Sequence, residues 1–92
     1  MKVPVVATED YTIYYEPYDG LIWTHADVHK WTARVAHDFF MMHELLNDLV
    51  NEPFYCLVDN TKLEKFVKNV GYTYVQDAQC IDGVTRRIYR YG

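Results

Sequence analysis

Hydrophobic and polar positions along this chain fall into blocks whose period switches between two and about 3.6. Val3-Pro4-Val5-Val6-Ala7 is a short β-branched run, and its proline suits an edge strand. Tyr11-Thr12-Ile13-Tyr14-Tyr15-Glu16 is dense in strand formers. Pro17-Tyr18-Asp19-Gly20 then supplies turn residues before Leu21-Ile22-Trp23-Thr24-His25-Ala26, which predicts a β-hairpin. From His29 to Val50 the apolar residues Trp31, Val35, Phe39, Met42, Leu46 and Leu49 step by 4, 4, 3, 4 and 3, the spacing of one buried helical stripe. Asn51-Glu52-Pro53 ends that helix, because proline disfavours helical geometry in the residue before it.

Phe54-Tyr55-Cys56-Leu57-Val58 is a near-continuous apolar run of strand length, as expected of a central strand. Asp59 or Asn60 caps a second helix that turns Leu63, Phe66, Val67 and Val70 inward and Lys62, Lys65 and Lys68 outward. Gly71 terminates it. Tyr72 to Cys80 and Val84 to Tyr91 read as two further strands joined at Asp82-Gly83. The order β-β-β-α-β-α-β-β predicts an α/β (α+β) fold: a mixed, mostly antiparallel sheet with two packed helices, forming one domain over residues 1–92. The strands on either side of the long helix should run parallel.

Half the residues are hydrophobic and 16% are aromatic, a composition that belongs to a folded domain. The apolar run at Val3–Ala7 is too short for a signal peptide or a membrane span, so a cytoplasmic protein with no membrane partner is expected. Cys56 and Cys80 are expected to be reduced thiols. The net charge of −4 is unevenly placed: residues 1–59 carry −7 and residues 60–92 carry +3. Such asymmetry can steer a partner if it survives folding as a spatial separation.

Residues 60–72, Asn60-Thr61-Lys62-Leu63-Glu64-Lys65-Phe66-Val67-Lys68-Asn69-Val70-Gly71-Tyr72, follow the pattern Asn-x-x-Ala-x-x-Phe-Tyr-x-x-x-Gly-Phe. With the element order and the closing Asp-Gly hairpin, this stretch resembles the GNAT N-acetyltransferase superfamily over residues 11–92. The resemblance implies a GNAT-like scaffold and, in its active members, acetyl-CoA as cofactor. If a cofactor site were retained, it would fall on Val28, Thr32, Ala33, Arg34 and Asn60. Two departures argue against catalysis. The phosphate-binding loop that opens the family's long helix is glycine-rich, whereas His29 to Ala36 contains no glycine and includes the bulky Trp31. The family's usual general-acid tyrosine is replaced by Val67, which has no proton to give. The helices that precede this core in the family are also missing. Stripped-down chains of this kind resemble small tailed-phage proteins, including virion components and inhibitors of host defence such as anti-CRISPR acetyltransferases.

Other constellations carry less. His25, Asp27 and His29 would share one face of a strand, but the run reads as a polar strand end rather than a metal site. His37 and His43 are expected at the surface or its boundary. Lys62, Lys65 and Lys68 with Arg86, Arg87 and Arg90 are residue types that contact phosphates, yet in a chain of net charge −4 nucleic acid is disfavoured as a partner. Tyr11, Tyr14, Tyr15, Tyr18 and Trp23 crowd one hairpin, more aromatics than one face of two strands can cover. They are the candidate contact residues for a protein partner or for self-association. The sequence therefore predicts a non-catalytic protein-binding module, with a minimal acetyl-CoA-dependent N-acetyltransferase as the alternative.

Overall fold

A computed structural model describes all 92 residues. The elements are β1 (Val3–Ala7), β2 (Tyr11–Tyr18), β3 (Leu21–Val28), α1 (Ala33–Val50), β4 (Phe54–Val58), α2 (Thr61–Val70), β5 (Thr73–Gln79) and β6 (Thr85–Tyr91). They build one six-stranded sheet in the order β1-β2-β3-β4-β6-β5, mixed and mostly antiparallel. Only β3 and β4, joined through α1, run parallel. The fold class and element order are those read from the sequence.

Several boundaries moved, each for a local reason. The first hairpin turns on Asp19-Gly20 alone, both at positive φ, while Pro17 lies within β2 opposite Ile22. Two central residues at positive φ suit the tight turn that matches strand twist. The Tyr18–Leu21 pair closes this turn, so an N–H at position 17 would point away from β3, and β1 pairs with β2 only as far as Tyr15. Proline therefore breaks no ladder there. Helix α1 starts at Ala33 instead of His29, because Thr32 caps it by accepting from the Val35 N–H at 3.2 Å. Asn60 caps α2, its Oδ1 accepting from the Leu63 N–H at 2.8 Å. Gly71 ends α2 with φ 125°, and a side chain there would meet Tyr91 Cε2 at 3.0 Å.

The inward stripe of α1 is also corrected. Val35, Phe39 and His43 are buried, whereas Trp31 precedes the helix and is 44% exposed and Leu49 is 74% exposed. Steps of four from Val35 keep to the inward face, and by Leu49 the helical rotation has carried the side chain off it. His43, expected at the surface or its boundary, is 3% exposed.

Both helices cover the same face of the sheet. Phe39 of α1 packs edge-on against Tyr11 of β2 at 5.0 Å, Phe66 of α2 packs on Phe39 at 5.6 Å, and Glu64 of α2 accepts the Tyr89 hydroxyl of β6. The registers place Tyr11, Ile13, Tyr15, Thr24, Phe54, Cys56, Val58 and Tyr89 on that face. All 13 buried residues lie on this face, on the helices, or at Tyr72 just after α2. No strand residue of the opposite face is buried.

Candidate functional site

Strand alternation sorts the hairpin aromatics between the two faces. Tyr11 and Tyr15 point into the core. Tyr11 is 1% exposed and donates to Asp38 at 2.6 Å, and burial followed by this bond raises its pKa. Tyr15 packs on Phe54 at 5.0 Å, its buried hydroxyl has no partner, and burial pushes its pKa up to about 12. As contact residues these two are corrected to core residues. Tyr14, Tyr18 and Trp23 lie on the helix-free face. Tyr14 donates to Asp27 at 2.9 Å, and the Trp23 Nε1–H donates to the Tyr18 carbonyl at 3.2 Å.

One row crosses that face from β2 to β6: the registers align Glu16, Trp23, Tyr55 and Arg90. Beside it Tyr14 pairs with His25 and Leu57 pairs with Ile88, as two separate pairs. The Trp23 and Tyr55 rings are 5.7 Å apart, and Leu57 is 40% exposed. His25 bonds Glu16 at 2.8 Å, which holds the Glu16 carboxyl below its usual range, and the N-terminal ammonium lies 3.4 Å from the other oxygen. Within the sheet, Glu16 and Asp27 sit on β2 and β3 on one side of β4, and Arg86, Arg87 and Arg90 on β6 on the other.

A second feature opens at the middle of the sheet. β3 and β4 pair only at Ile22–Phe54 and Trp23–Tyr55, although β3 continues to Val28 and β4 to Val58. Beyond Trp23 and Tyr55 the two strands part. A cavity of about 910 Å³ is lined from the helix side by Phe39, Leu63, Phe66 and Val67 and from the open side by Trp23, His25, Leu57 and Ile88. It therefore reaches both faces of the sheet through the gap. On its wall a chain of polar groups runs from Thr24 Oγ1 to the Tyr72 hydroxyl at 2.7 Å and on to His43 Nε2 at 2.6 Å. His43 Nδ1 has no partner, and burial holds the imidazole down at about 4, so it is neutral at physiological pH. Burial raises the Tyr72 pKa and keeps its hydroxyl protonated. Sequence reading missed this chain; the one available signal was that His43 continues the four-residue step Val35–Phe39–His43.

The five residues named for a retained cofactor site are not assembled as a phosphate cradle. Val28 ends β3, Thr32 spends its side chain capping α1, and Ala33 and Arg34 sit exposed in the first turn. Asn60 caps α2 and donates through Nδ2 to Asp59. Trp31 packs its indole edge-on against Phe39 and Phe40 of α1 and Phe66 of α2, the last at 5.2 Å, and so bridges the two helices. Val67 is buried at 5% exposure. His25 and Asp27 lie on the open face without a third ligand, and no three potential metal-ligating groups converge anywhere in the fold. No helix is long and apolar enough to cross a membrane. Neither protein-family models, nor curated proteins, nor solved structures give a match to this chain.

Proposed function

We propose that this chain is a non-catalytic, GNAT-like protein-binding module whose contact surface is the helix-free face of its sheet. The observation that carries the reading is the aromatic and aliphatic band of Tyr14, Tyr18, Trp23, Tyr55, Leu57 and Ile88 on a face that no helix covers. Aromatic side chains that keep one polar end suit an interface, because they supply large contact area at low entropic cost. The sheet order and the two helices on one face are compatible with a reduced GNAT scaffold, and the small tailed-phage proteins it resembles give the proposal its setting: action on a host or phage protein. Substituting Tyr18→Ser and Leu57→Ser together tests the reading. The pair should abolish co-purification of partners that wild type retains, while the chemical-denaturation midpoint stays in place. Equal retention by wild type and variant would overturn it.

A second reading, acetyl-CoA-dependent N-acetyl transfer, draws support from the gap between β3 and β4, whose lining is mostly hydrophobic and includes a protonated tyrosine hydroxyl. The capped, glycine-free start of α1 and the indole of Trp31 weigh against it, because converging free amides are what hold a pyrophosphate. Calorimetric titration separates the two. The binding-module reading expects acetyl-CoA to bind no more tightly than about millimolar, and a micromolar dissociation constant would favour the enzyme.

A further inference from the structure

The open face is self-complementary, and we infer that its occupant is a second copy of this chain, packed sheet to sheet about a twofold axis parallel to the strands between β3 and β4. The inference rests on reading that face as a contact surface and adds the identity of the partner.

The register of the sheet carries it. One row across the face reads Glu16 on β2, Trp23 on β3, Tyr55 on β4 and Arg90 on β6, which is acid, aromatic, aromatic, base at successive strand positions. A twofold axis along the strands between Trp23 and Tyr55 reverses that order in the partner. Each Glu16 then faces an Arg90 and each Trp23 faces a Tyr55. The pairs Tyr14–His25 and Leu57–Ile88 flank that row on either side of the axis. An in-plane axis perpendicular to the strands would instead lay β6 on β6 and oppose arginine to arginine, so the charges select one arrangement.

Arg90 is exposed and takes part in none of the ion pairs within the chain, so its guanidinium is free for a partner. Glu16 already holds His25 and the N-terminal ammonium, which fix its carboxylate in place on the face. The area is adequate. Six strands at about 4.8 Å spacing and about 25 Å of strand length give a face on the order of 600 Å² per copy, at the lower end of stable interfaces. Aligned sheets packed in this way also cross at about −30°, which two twisted sheets accommodate. The association expected is therefore reversible, not obligate.

Sedimentation velocity on the full chain up to about 300 µM tests the inference. Wild type should show a concentration-dependent monomer–dimer equilibrium. Arg90→Glu alone should weaken it by about tenfold or more, since it sets acid against acid. Glu16→Arg alone should do the same, and Glu16→Arg combined with Arg90→Glu should regain the dimer. Arg90→Glu breaks no ion pair within the chain, so the experiment does not depend on a variant that threatens the fold. A wild type that stays monomeric throughout, or a double variant no tighter than either single, overturns self-association but leaves the face free for a different protein. A dimer whose hydrogen-exchange protection falls on α1 and α2 instead of β2, β3, β4 and β6 overturns both this inference and the contact-surface reading.

Discussion

At the scale of single residues, two buried polar groups set measurable properties of the core. The Tyr15 hydroxyl is enclosed without a partner, so it carries a desolvation cost that nothing offsets. Tyr15→Phe keeps the ring packed against Phe54 and removes that cost, and urea denaturation should show stability unchanged or raised by about 1 kcal/mol. A loss of similar size would mean that the hydroxyl is bonded. His43 sets a pH dependence. Its surroundings are Phe39, Phe54, Tyr72 and Tyr91, with no carboxylate among them, and burial lowers its pKa from 6.5 to about 4. Between those values the unfolded chain binds a proton that the folded chain refuses. Stability is therefore full above pH 6.5 and falls as the pH drops toward 4, by about 3 kcal/mol in total. The carboxyls of Glu16 and Glu64, held below their ordinary 4.5, add their own loss only at lower pH. Denaturation at pH 7 and pH 5 should show this slope in wild type, and His43→Leu should flatten it.

At the scale of elements, the ends of α2 show how a local signal and a tertiary contact combine. Gly71 closes the helix: the Tyr72 N–H returns to the Val67 carbonyl at 2.9 Å, and the Tyr91 ring closes over the glycine. A methyl group at position 71 meets both an unfavourable φ and that ring, so Gly71→Ala should cost about 1 to 3 kcal/mol. Gly20 in the first hairpin also has positive φ, but no atom lies within 4 Å of the space a side chain would take. Gly20→Ala carries the conformational strain alone and should cost less. Denaturation of the two variants side by side checks the order, and a larger loss at Gly20 would show that Tyr91 does not close over Gly71.

At the scale of the whole molecule, a single sheet separates a buried face from an open one, and adjacent residues of β4 sample both. Val58 is 0% exposed under the helices, whereas Leu57 is 40% exposed on the open side. Val58→Lys buries an unpaired charge and should cost more than about 4 kcal/mol, enough to unfold a domain of this size. Leu57→Lys should stay within about 0.5 kcal/mol of wild type when measured on the monomer at low concentration. Equal losses at the two positions would mean that the second face is covered within the chain.

The sequence by itself determined the elements and their order. Capping by Asn60, termination at Gly71, the Asp19-Gly20 turn and the helical spacing of Val35 and Phe39 are effects of neighbouring residues, so they can be read from a short stretch of chain. It also held the partition of the hairpin aromatics, since alternation alone puts Tyr11 and Tyr15 opposite Tyr14 and Trp23, but not which of those faces the helices would cover. Only the tertiary structure decided that both helices pack on one side and that β3 and β4 part after two paired residues. It likewise joined Thr24 and Tyr72, 48 positions apart, with His43, and set Glu16, Trp23, Tyr55 and Arg90 in one row. The physical reason is range. Propensities and caps act over a few residues, whereas strand register between distant segments is fixed by the arrangement that buries one face of the sheet under the two helices.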